Sequence, residues 1–64
     1  MEDNPIHESY SRLEQIIMDS MLDAGKFISG NNSAGTRVRK AMQEVKKIAQ
    51  NIRTEVQEQK NQPV

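Results

Sequence analysis

Sixty-four residues allow one domain at most, and the absence of cysteine excludes disulfides as its support. With His7 as the sole histidine and no thiolate, a structural zinc site lacks its ligands. Nine acids balance nine bases, so the net charge is zero, and no apolar run approaches the roughly 20 residues that cross a bilayer.

The start Met1-Glu2-Asp3-Asn4-Pro5 is acidic, unlike a secretory signal, and a cytoplasmic location is the default expectation. Residues 1–4 read as an N-terminal arm and 5–29 as an acidic helix. Asn4 suits the N-cap, Pro5 the first helical position and Glu8 the first turn, where the helix dipole favours an acid. Apolar residues follow at Ile6, Tyr10, Leu13, Ile17, Ala24 and Phe27, with Ile16, Met21 and Ile28 widening the stripe and Ser20 interrupting it. Steps of three and four are helical rather than strand-like. Gly30 is placed to supply a left-handed cap after Ile28 or Ser29.

Gly30-Asn31-Asn32-Ser33 reads as a turn in which Asn31, Asn32 or Ser33 could cap the next helix. So short a link favours an antiparallel hairpin over independent helices. The second helix is expected over about 33–59, its basic body at 34–59. Val38, Ala41, Met42, Val45, Ile48, Ala49, Ile52 and Val56 fall in one arc of about 120°. Residues 60–64 lack apolar rhythm and are expected to fray. The fold expected is thus all-α, a two-helix hairpin in a single domain, 1–64.

A chain this small gains only a few kcal/mol from one core, so a second copy is the expected support. A dimer forming a four-helix bundle or coiled coil would cover Met18 and Leu22, which lie off the main stripe of the first helix. The side chains expected at that contact are Tyr10, Leu13, Ile17, Met18, Met21, Leu22, Val45, Ile48 and Ile52.

Nothing in the sequence has the form of a catalytic centre. His7 has no evident partner, the serines sit in no nucleophile-elbow context, and the glycines match neither a P-loop nor a dinucleotide fingerprint. Asp19 and Asp23, one turn apart, could share a cation, but a solvated acidic face is the simpler reading. No enzyme activity, cofactor, metal or small-molecule substrate is expected.

Charge is distributed unevenly. Residues 1–32 carry six acids against Arg12 and Lys26, a net of −4, and residues 33–64 carry seven bases against Glu44, Glu55 and Glu58, a net of +4. Arg39, Lys46, Arg53 and Lys60 recur every seven residues along one flank of the second apolar arc, and Lys40 and Lys47 share that interval on the side facing away. Charge alone leaves two readings open. The bases could pair with acids such as Glu14 or Asp23 of the first helix and fix its register, or they could face the phosphates of a nucleic acid. Small residues at Ser33-Ala34-Gly35-Thr36, followed by Arg37, Arg39 and Lys40 against the helix dipole, favour an external anion.

The string Gly30-Asn31-Asn32-Ser33-Ala34-Gly35-Thr36-Arg37-Val38-Arg39-Lys40, continued by Met42 to Gln50 and by Ile52-Arg53, resembles the core of the bacterial linker-histone-like (histone-one-like) proteins. These are small nucleoid-associated proteins with a helical N-terminal region. The resemblance is carried by residues 30–53; the first helix matches in length and amphipathic pattern. It implies nonspecific DNA binding and compaction in the bacterial nucleoid, with Arg37, Arg39, Lys40, Lys46, Lys47 and Arg53 at the phosphate-contacting positions. Longer members carry a Lys/Ala/Pro-rich basic tail where this sequence reads Gln62-Pro63-Val64, a departure that leaves three outcomes open: weak DNA binding by the core, binding that requires assembly, or a protein-binding role in its place. The rival reading is a helical protein-interaction or scaffold module that does not touch nucleic acid.

Overall fold

The computed structural model describes residues 4–62. The first three residues of the expected arm, 1–4, and the last two of the expected frayed tail lie outside them. Two helices, α1 (Pro5–Ile28) and α2 (Asn32–Lys60), fold back on each other as an antiparallel hairpin with principal extents of 54 × 22 × 11 Å. The smallest extent is about the diameter of a single helix. The molecule is therefore one layer thick, with both broad sides open.

The ends of the helices are set by the residues anticipated for them. The Asn4 side chain accepts from the Ile6 amide at 2.9 Å, and Pro5 follows at the first helical position. At the other end the Asn31 amide donates to the Lys26 carbonyl (3.0 Å) and the Gly30 amide to that of Phe27 (2.9 Å). These are the two bonds of a Schellman cap, and they need the positive φ of Gly30, 111°. Asn31 is the N-cap of α2; its side-chain oxygen accepts from the Ala34 amide at 3.1 Å and from the Ser33 hydroxyl at 2.8 Å. Asn31→Ala is expected to lower stability by about 1 kcal/mol, measurable as a fall in the thermal midpoint of helical circular dichroism. The second helix starts a turn-residue earlier than expected and runs to Lys60, with Asn61 as its C-cap.

Which side chains meet is decided by heptad spacing. On α1 the inward positions are Ile6, Ser9, Leu13, Ile16, Ser20, Asp23 and Phe27; on α2 they are Ala34, Val38, Ala41, Val45, Ile48, Ile52 and Glu55. Steps alternate between three and four residues on both helices, the interval that keeps one edge of a helix against its neighbour. Ala34, Ile48 and Ile52 are the buried apolar residues, and Ser20 is the buried polar one, its hydroxyl donating to the Ile17 carbonyl at 3.0 Å. Relative to the sequence expectation, α1 is rotated. Ile16 and Ser20 face α2, whereas Tyr10 and Ile17 sit outside the seam.

Polar contacts tie the seam along its length. Ser9 donates to Glu55 at 3.3 Å, and the Gln59 amide donates to the Asn4 oxygen at 3.1 Å across the open end. Near the turn the helices approach closely: a Cβ built on Gly35 would lie 2.6 Å from the Phe27 ring. Two of the small residues that open α2 are accounted for by packing, Ala34 being fully buried and Gly35 lying under Phe27, whereas Ser33 and Thr36 stay exposed.

Candidate functional site

The six cations singled out in α2 fall into two classes. The Arg37 guanidinium donates to Asp23 at 2.9 Å, with the Asp23 side chain only 22% exposed. That contact also offsets the unfavourable placing of a cation near the start of α2. Arg39, Lys40, Lys46, Lys47 and Arg53 have no ion-pair or hydrogen-bond partner among the described residues, and all five are exposed. The structure thus sets Arg37 apart from the group and leaves the other five facing solvent.

At 3.6 residues per turn the five form two ridges on the side of α2 away from α1. Arg39, Lys46 and Arg53 make one ridge, with successive members about 10 Å apart along the axis. Lys40 and Lys47 make the other, about a quarter-turn round. Between the ridges run Thr36, Gln43, Gln50, Thr54 and Gln57, all exposed and uncharged. This strip was missed in the sequence reading, although the Gln43-Gln50-Gln57 interval of seven residues carried the signal. Shallow surface depressions lie along this edge, one between Thr36, Arg39, Lys40 and Gln43 and another between Gln50, Arg53, Gln57 and the acid Glu58.

Two of the three acids of α2 are turned elsewhere. Glu44 accepts from Arg12 of α1 at 3.0 Å, and Glu55 accepts from Ser9 in the seam. Glu58 alone stays on the outer side, near the C-terminal end. The Arg12–Glu44 pair is exposed on both sides and contributes about 0–1 kcal/mol. Its larger effect is electrostatic, because it neutralises the one acid set among the six bases of residues 37–53. Both ion pairs, Arg12–Glu44 and Arg37–Asp23, lie on the same flank of the seam.

Asp19 and Asp23 do not converge on a shared position. Asp19 accepts from Gln15 at 3.1 Å and Asp23 from Arg37. Among the described residues no cluster of three or more metal-ligating side chains occurs. No helix there is long and apolar enough to cross a membrane.

The nine side chains expected between copies are also divided. Leu13, Val45, Ile48 and Ile52 lie in the hairpin's own seam, half-buried or buried. Tyr10, Ile17, Met18, Met21 and Leu22 remain exposed.

The sequence that builds this hairpin matches a described family. The family model named Histone H1-like protein Hc1 covers residues 7–62, nearly all of both helices. The chain belongs to that histone H1-like family. The match takes in α1 as well as residues 30–53, on which the resemblance first rested. Comparison with curated proteins and with solved structures gave no match.

Proposed function

We propose that the chain is a non-enzymatic, sequence-nonspecific DNA-binding protein of the bacterial nucleoid, contacting phosphates through the outer edge of α2. The observation that carries this reading is the set of five bases with no intrachain partner among the described residues, on an edge where Glu44 is already held by Arg12 and Glu58, near Arg53 at the C-terminal end, is the acid that remains. Membership of a histone H1-like family supports it. Arg39, Lys46 and Arg53 form the main phosphate ridge, and Lys40 and Lys47 the second. Arg37 contributes where Asp23 releases it. Thr36, Gln43 and Gln50 add neutral donors to the same backbone. Contacts of this kind supply affinity without reading base sequence. No cofactor or small-molecule substrate enters the scheme.

The test is a titration of short duplexes at several salt concentrations, followed by fluorescence anisotropy. Four or five phosphate contacts correspond to a log–log slope of about −4, so affinity should fall a few hundredfold between about 50 and 200 mM salt. Duplexes of unrelated sequence should bind alike. A chain that binds no duplex at low salt would refute the reading, and the protein-interaction alternative, supported by the exposed apolar side of α1, would then be the better description.

A further inference from the structure

Two basic ridges with a neutral strip between them are more than a single line of phosphates requires. A helix lying along one DNA strand would use one ridge and leave the other in water. On α2 the ridge of Arg39, Lys46 and Arg53 and the ridge of Lys40 and Lys47 stand about a quarter-turn apart, so the charged ends of their side chains are on the order of 10 Å apart across the helix. All five are exposed and have no ion-pair or hydrogen-bond partner among the described residues. Between them the strip is uncharged from Thr36 through Gln43 and Gln50 to Thr54. Because the molecule is one layer thick, α1 lies directly behind this edge and does not flank it.

We infer that the duplex is gripped through its major groove: the outer edge of α2 enters the groove of B-form DNA, its neutral strip toward the floor and its two ridges toward the two phosphate walls. The inference rests on the DNA-binding reading above and adds the form of duplex that this edge accepts. The major groove, about 12 Å wide, admits a helix of about 10–12 Å with its side chains, whereas the minor groove, about 6 Å wide, does not. With α2 seated there, each ridge meets one wall, and the residues nearest the base edges bring no charge that must lose its water. Glutamine suits that position without selecting a sequence. Its amide carries both an acceptor and donors and turns to present either one to the base pair below it, or to a wall phosphate where the register brings that closer.

The acids of α2 mark the extent of the seat. Glu44, beside the Lys40–Lys47 ridge, is held by Arg12 at 3.0 Å, and Glu58 stands on the line of that ridge beyond Arg53. From Thr36 to Thr54 the strip runs about 27 Å along the axis. A straight helix cannot follow a curving groove much further, and Glu58 falls where α2 is already leaving the wall. An RNA duplex makes the contrast. Its major groove is too deep and narrow for this edge and its minor groove is wide and shallow, so it meets the ridges only from outside, one at a time.

The full chain, titrated by anisotropy at low salt into DNA and RNA duplexes of the same length and sequence, should bind the DNA about tenfold more tightly or better, since the RNA forgoes the contacts of one ridge. Lys40→Gln with Lys47→Gln should weaken DNA binding by about the same factor, leave RNA binding nearly unchanged and retain helical circular dichroism. On a DNA duplex saturated with the chain, dimethyl sulfate should methylate guanine N7, on the major-groove floor, severalfold less than on free DNA, and adenine N3, in the minor groove, as before. RNA bound as tightly as DNA or more tightly, or guanine N7 left unprotected on a saturated duplex, overturns the inference while phosphate binding stands. A chain that binds neither duplex overturns the DNA-binding reading and this inference with it.

Discussion

Reversing the main ridge, Arg39→Glu with Lys46→Glu and Arg53→Glu, is expected to eliminate duplex binding under conditions where the parent chain is half-bound. At solvent-exposed distances each lost attraction is about 1 kcal/mol, so three neutralised contacts weaken binding about a hundredfold, and the introduced repulsions weaken it by a comparable factor. The hairpin itself should persist, because none of the three side chains has a partner in it among the described residues. A matched pair of single variants distinguishes a site from bulk charge. Lys46→Glu and Lys26→Glu change the net charge identically, but Lys26 lies in the last turn of α1, away from the α2 ridge. Anisotropy titrations should show a clear loss for K46E and a small one for K26E; equal losses would mean that no ridge exists.

Ile48→Ala should unfold the chain. Ile48 is 3% exposed and is the most deeply buried large side chain in the seam. Truncation of a buried isoleucine costs about 2–5 kcal/mol, which is comparable to the whole stability that a single core of this size supplies. Helical circular dichroism at micromolar concentration should collapse or melt near ambient temperature. Met42→Ala serves as the contrast: its side chain is 42% exposed on the flank of the seam, and the loss should stay near or below 1 kcal/mol. Equal effects would mean that the seam does not carry the stability.

The helices and the turn between them were readable because their signals are local. Asn4, Pro5, Gly30 and Asn31 each act within a few residues, through an amide they cap or a φ they permit. The inward side of α2 was readable for a second reason: it has a single apolar arc, with its bases elsewhere. On α1 two apolar stripes lie side by side, and hydrophobicity cannot say which one faces α2. The choice is made by polar residues that a hydrophobic pattern passes over. Ser9 and Ser20 are small enough for close approach and place their hydroxyls on Glu55 and the Ile17 carbonyl, and Asp23 meets Arg37. For the cations, spacing identified the ridges but could not foretell that Asp23 would engage Arg37 alone. That follows from a register set by contacts between residues distant in sequence.

The one-layer build gives the two edges of the hairpin opposite outlooks. A molecule whose cationic border and oily border point away from each other can occupy both at once. A duplex held along the cationic border leaves the oily border in water, so a grip on DNA and a contact made through the apolar side of α1 do not compete for the same surface.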